Sequence, residues 1–165
     1  MVLASHDFRD EEYSITERVL TQKDIMVLTS STTIDNIKGM LGTVIKPDIH
    51  LDSIQEFSFD GIVIIGGNGA KELWDNKKLI SLVKEFNNNK KPIGAICLAP
   101  MVLANAGILR NKRATIHESA VREFKTKKLL YSNNNIEISD NIITANSPSA
   151  STIFAQTFVN ALLKI

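Results

Sequence analysis

One cysteine, one histidine and a run of carboxylates stand where the chain passes from strand to helix. Cys97 lies in Lys91-Pro92-Ile93-Gly94-Ala95-Ile96-Cys97-Leu98-Ala99-Pro100, an apolar strand running into a helix that starts near Pro100. A nucleophile on such a sharp turn needs small residues two positions to either side, so that the backbone can fold tightly, and Ala95 and Ala99 supply them. The amides after Cys97 open the helix, where they can lower the thiol pKa or donate to a developing oxyanion; Leu98 needs only its backbone for this. Free cysteine also packs as a small hydrophobe, so position alone leaves a structural role open.

A second signal is Ile65-Gly66-Gly67-Asn68-Gly69, glycines after a buried strand and before a helix, where open α/β sheets bind ligands. Its backbone can supply another oxyanion donor, although a tight structural turn reads the same way. It lacks a Walker lysine and full dinucleotide spacing. Asp10, Glu11 and Glu12 open the first helix, where acidic residues also simply complement the helix dipole. His117 follows the expected strand Arg113–Ile116, so a cysteine, a histidine and a carboxylate fall at three strand ends and form a coherent site. His6 and His50 have no comparable context, and no metal-ligand spacing is present.

The elements that must position these groups alternate short apolar runs with segments of helical period, the pattern of a layered α/β fold. Strands are expected at Val2–Ala4, Ile25–Thr29, Thr43–Ile45, Gly61–Ile65, Pro92–Ile96 and Arg113–Ile116. The unbroken Ile62-Val63-Ile64-Ile65 predicts burial on both faces and a mostly parallel sheet. Glu11–Thr21 is expected to be a helix with Ile15 and Val19 on one face, and Ala70–Phe86 another with Leu73, Ile80 and Val83. Ile136–Ile138 and Ile142–Thr144, joined by Ser139-Asp140-Asn141, read as a hairpin, Ser149–Lys164 as a closing helix, and the asparagine triplets at 87–89 and 133–135 as turns.

The 165 residues, 44% of them apolar, suffice for one core, which predicts a single domain over 1–165. The 19 basic and 18 acidic side chains nearly cancel and are scattered, so neither nucleic acid nor a membrane is expected as a partner. A single cysteine excludes an internal disulfide, and the opening Met-Val-Leu-Ala-Ser lacks the features of a signal peptide; a cytoplasmic location is expected.

Taken together, Gly66-Gly67-Asn68, Ala95-Ile96-Cys97-Leu98-Ala99-Pro100 and Thr115-Ile116-His117 resemble the ThiJ/PfpI superfamily, of class I glutamine amidotransferase-like fold, and specifically its parkinsonism-associated deglycase branch. The resemblance extends to Phe8-Arg9-Asp10-Glu11-Glu12-Tyr13, Ile45-Lys46-Pro47-Asp48 and Ser147-Pro148. It implies a flavodoxin-like sandwich with helices on both faces of the sheet and a nucleophile elbow. It also implies Cys97 as nucleophile, Glu12 as its carboxyl partner, His117 as a nearby base, and Gly67 and Leu98 as backbone oxyanion donors. An ionised Glu12 would raise the thiol pKa, so its carboxyl is expected to be protonated, donating to a thiolate, with its own pKa raised.

The PfpI peptidase branch places a histidine directly after the cysteine, where this chain has Leu98, and Leu41 and Asn146 stand where relatives carry basic side chains. The resemblance therefore implies cofactor-free chemistry on small 2-oxoaldehydes, as a glutathione-independent glyoxalase or a deglycase, rather than peptidase chemistry. The alternative it carries is a redox sensor whose low-pKa Cys97 meets an oxidant and becomes a sulfinic acid; a chaperone-like or inert relative is a third reading. A homodimer or larger homo-oligomer is also expected from it.

Overall fold

A computed structural model describes residues 1–164 of the chain. Its sheet centre holds strands Ile136–Ser139, Ile142–Ala145, Ile93–Ile96 and Ile62–Ile64 in that spatial order. Bridges from Val2 to Ile64 and to Ser30 extend the sheet, and Ser30–Ser31 pairs in parallel with Ile49–His50. Every pairing in this sheet is parallel except the hairpin Ile136–Ser139/Ile142–Ala145. The expected α/β class and mostly parallel sheet are what the structure has. The hairpin turns on two residues between the Ser139–Ile142 pair, with Asp140 in the left-handed region at φ 56°.

Helices cover both faces. Gly94 presents its hydrogen to Phe154 and Phe158 of α5 (Ser151–Leu163), and strand alternation turns Ile93 and Ala95 the other way. On that second side α2 (Lys77–Asn88) and α3 (Pro100–Asn105) pack against each other and against Ile93–Ile96, while α1 (Asp10–Thr21) packs against α5. The remaining α-helix, α4 (Val121–Thr126), has no counterpart among the elements expected from the sequence.

Several expected elements are shortened, each where a side chain or another strand takes a ladder hydrogen bond. Of Val2–Ala4 only Val2 is bridged; at Ser5 the Glu72 carboxylate accepts the backbone N–H (2.6 Å), and the chain leaves for a second sheet. There His6–Phe8 pairs in parallel with Ile37–Gly39, which pairs antiparallel with Val44–Ile45. The expected strand Ile25–Thr29 is not one: Asp48 accepts both the N–H and the hydroxyl of Thr29 (2.7 Å each), and pairing begins at Ser30. Arg113–Ile116 is strand only at Arg113–Ala114, because Thr115 donates its N–H to the Thr144 hydroxyl (3.0 Å).

The helix expected over Ala70–Phe86 is two pieces, a tight 3-10 segment Asn68–Leu73 and α2. Asn76 separates them, its side chain accepting the Leu79 N–H (2.9 Å) as an N-cap. The Asn87–Asn89 triplet therefore ends α2 rather than standing outside it. On α1 the buried face is Glu12, Tyr13, Thr16 and Leu20, with Ile15 and Val19 only half-buried. The helix is thus rotated so that a carboxylate faces inward.

A Cβ at position 94 would sit 2.8 Å from the Phe154 ring. Gly94→Val is therefore expected to lower stability by about 1–3 kcal/mol through overpacking. Urea unfolding of the variant beside the wild type checks this.

Candidate functional site

The turn after strand Ile93–Ile96 puts Cys97 in the left-handed region, φ 61°, an uncommon conformation for a residue with a side chain. The surroundings hold it there. Cys97 donates its N–H to the Ala145 carbonyl (2.9 Å), and its own carbonyl accepts the N–H of His117 (2.9 Å). The next carbonyl, Leu98, accepts from the Trp74 indole (2.9 Å), and the Trp74 carbonyl in turn accepts from Asn105 Nδ2 (2.9 Å). The expected elbow is present, and Trp74 and Asn105 brace it from the side.

The three consecutive carboxylates of α1 have three different surroundings, because successive helical residues point about 100° apart. Asp10 accepts the N–H groups of Leu41 and Thr43 (2.8 Å each) and ties down the loop Met40–Thr43; burial works against its ionisation, but these hydrogen bonds outweigh it and hold its pKa below the usual value. Glu11 pairs with Arg9, Oε2 to Nε at 2.8 Å and Oε1 to Nη2 at 3.0 Å. Glu12 alone turns inward, with no exposed surface.

Glu12 Oε2 accepts the Gly66 N–H (2.9 Å), Oε1 is buried without a hydrogen-bond partner, and the carboxyl lies close enough to the Cys97 thiol for each group to shift the pKa of the other. Gly66 has to be glycine: a Cβ there would lie 2.6 Å from the Cys97 Cβ and 2.7 Å from Glu12 Oε2. Gly67, at φ 103°, continues the turn, and a Cβ on it would strike the backbone of Asp7 and Arg9. The backbone amides of Gly67 and Leu98 lie near the Cys97 sulfur and act to lower its pKa.

Burial raises the Glu12 pKa to about 8, against the opposing Gly66 hydrogen bond and the Arg9 charge. Glu12 therefore carries its proton at neutral pH, as expected. The expected low thiol pKa is not found. Burial, helped by the negative charge of an ionised Glu12, pushes the Cys97 thiol up to about 12, and the two amides only partly offset this. When Glu12 holds a proton that charge is absent and the carboxyl can donate to sulfur, so thiol and carboxyl behave as one acid holding a shared proton.

Cys97, Gly67 and Leu98 open onto a cavity of about 150 Å³, also lined by Arg9, Met40, Asn68, His117, Ser119 and Pro148. His117 Nδ1 accepts the Ser119 N–H (3.3 Å) and contacts the Ser119 hydroxyl (2.9 Å). That bond puts the proton of the neutral ring on Nε2, so the free nitrogen is a donor. A larger cavity, about 250 Å³, lies at the other end of the strands, lined by Leu20, Met26, Phe158 and Leu162 among others, and holds neither cysteine nor histidine. Among the described residues no cluster of His, Cys, Asp and Glu could hold a metal ion, and no helix is long and apolar enough to cross a membrane.

Residues 1–161 match the DJ-1/PfpI family. The chain belongs to this family. It is 41% identical over 167 residues to the uncharacterized protein MJ0967 of Methanocaldococcus jannaschii, covering 99% of this chain and 82% of that one. It is 30% identical over 162 residues to the glutathione-independent glyoxalase DJR-1.2 of Caenorhabditis elegans, covering 98% and 87%. The crystal structure of a ThiJ/PfpI domain protein from Brachyspira murdochii superposes with a TM-score of 0.95 at 29% identity, over 99% of this chain and 95% of that one.

Within this DJ-1/PfpI protein the structure places Cys97, Glu12, Gly67, Leu98 and His117 around one turn. Sequence reasoning missed Arg9 in the cavity wall and Trp74 behind the elbow. Arg9 was legible only as a basic residue three positions before Glu12, and Trp74 only as the chain's single tryptophan.

Between pH 4.5, the ordinary Glu value, and about 8, folded Glu12 keeps a proton that the unfolded chain has released. This contribution to stability is therefore complete below the lower value and is lost as pH rises through the upper one. Across this window the wild type is expected to lose on the order of 4 kcal/mol more than Glu12→Gln does. Urea midpoints of the two proteins measured from pH 5 to pH 8.5 check this.

Proposed function

We propose that this protein converts small 2-oxoaldehydes to 2-hydroxy acids without a cofactor, with Cys97 as nucleophile. The observation that carries the reading is the sealed Glu12 carboxyl on the thiol, with the Gly67 and Leu98 amides facing the same sulfur. The similarity to the C. elegans glyoxalase and a cavity of about 150 Å³, sized for a few heavy atoms, support it. Leu98 after the cysteine and the small cavity give no support to peptidase chemistry.

In this reading an ionised Glu12 takes the Cys97 proton as sulfur adds to the aldehyde carbon, and the amides of Gly67 and Leu98 stabilise the developing negative charge. The neutral hemithioacetal then passes its C1 hydrogen to a regenerated Glu12 while His117 Nε2–H donates to the C2 oxygen. Glu12 returns that proton to C2, the C2 oxygen keeps the proton from His117, and the C1 hydroxyl gives its proton back to His117, which leaves a thioester; water then adds at C1 and releases the hydroxy acid and the Cys97 thiol. Protein deglycation would use the same addition on aldehyde adducts of amines.

Lactate formation from methylglyoxal tests the proposal. Cys97→Ser is expected to abolish it, and Glu12→Gln to lower kcat/KM by about 10²–10⁴-fold, the range for loss of a general base. Wild-type kcat/KM should rise from pH 6 to 8 as Glu12 ionises. His117→Ala should lower kcat while leaving alkylation of Cys97 intact. No turnover by verified reduced wild type, or full turnover by Cys97→Ser, would contradict the proposal.

A further inference from the structure

Arg9 is the one side chain in the wall of the Cys97 cavity that carries a fixed positive charge; the other polar side chains there, Asn68, His117 and Ser119, are uncharged or titratable. Its backbone N–H is anchored to the Gly66 carbonyl (3.0 Å), and the close approach of Gly67 to Arg9 holds this segment against the glycine turn. Glu11 grips only one edge of the guanidinium, Nε and Nη2. Among the described residues no acceptor hydrogen-bonds Nη1, which leaves two N–H donors of a fixed, oriented cation beside the nucleophile. An arginine held on one edge by a carboxylate and open on the other is preorganised for a second planar anion.

We infer that Arg9 is a specificity-determining residue that binds a carboxylate on the substrate, so that the site favours aldehydes bearing an anionic group over neutral ones. The inference rests on Cys97 being the nucleophile but not on any aldehyde being turned over. The charge of Glu11 tempers the site: it orients Arg9 and competes with the substrate's carboxylate.

Two alkylating agents of nearly equal size, iodoacetate and iodoacetamide, separate these claims. With either, the Cys97 sulfur forms a bond to the methylene carbon, the carbon–iodine bond breaks, iodide leaves with the electron pair, and the thiol proton passes to Glu12 or water. The rates, read by mass spectrometry on the intact protein, give an iodoacetate to iodoacetamide ratio. In Arg9→Gln this ratio is expected to fall about tenfold, the loss of one charge-assisted contact; because both reagents meet the same thiol, the ratio is independent of any change in thiol reactivity that removing the charge brings. In Glu11→Gln, which keeps Arg9 and removes its competitor, the ratio should rise. An unchanged ratio in Arg9→Gln, or an equal fall in both rates, overturns the recognition role while leaving Cys97 reactive. Failure of either reagent to label wild-type Cys97 overturns the nucleophile reading and the recognition role with it.

Discussion

A carboxyl group without exposed surface, pressed against a thiol and offered one backbone N–H, cannot hold a negative charge at ordinary carboxylate pKa. The rest of the site follows from that constraint. Either Glu12 keeps its proton and the pair is neutral, or the pair holds a single negative charge that carboxylate and sulfur share between them. The structure collects the donors needed for the second state: Gly66 N–H for the carboxylate, and Gly67 and Leu98 N–H for the sulfur. These donors converge because two turns meet. The glycine turn after Ile62–Ile64 and the elbow after Ile93–Ile96 belong to adjacent parallel strands, and parallel neighbours end on the same edge of the sheet.

The packing that holds these turns in place leaves little freedom. Gly66 has no room for a Cβ between Cys97 and Glu12. Cys97 adopts a left-handed conformation while its peptide groups are tied to Ala145, His117 and, through Leu98, to Trp74. Such an elbow stores a modest amount of backbone strain, on the order of 1–3 kcal/mol, which the buried α/β core has to offset. On the other side of Glu12, α1 is rotated to bury Tyr13, Thr16 and Leu20, and this rotation is what delivers Glu12 to the thiol while sending Glu11 to Arg9 and Asp10 to the 41–43 backbone.

The sequence carried the part of this site that is local. Ala95 and Ala99 around Cys97, and the glycines after Ile65, mark tight turns whatever surrounds them, and the alternation of apolar runs with helical segments gives the layered class. The strand limits were less legible, because distant side chains end the ladders: Glu72 at Ser5, Asp48 at Thr29 and Thr144 at Thr115. The thiol pKa was misjudged for the same kind of reason. A turn leading into a helix suggests acidification, but only the folded structure shows how deeply Cys97 and Glu12 are buried together. Neither the one-edged grip of Glu11 on Arg9 nor the Trp74 brace leaves a pattern of spacing, since each depends on how a single long side chain turns.

The direct test of the shared proton is infrared spectroscopy of the Glu12 carboxyl, as the difference between wild type and Glu12→Gln, titrated from pH 5 to 9.5. The account predicts the carbonyl stretch of a protonated, buried carboxylic acid at pH 6, giving way to carboxylate bands with a midpoint near 8, and the same band present in Cys97→Ser because burial is the larger cause. A carboxylate signal from Glu12 throughout the range above pH 5.5 would contradict it, leaving Cys97 opposite a fixed negative charge.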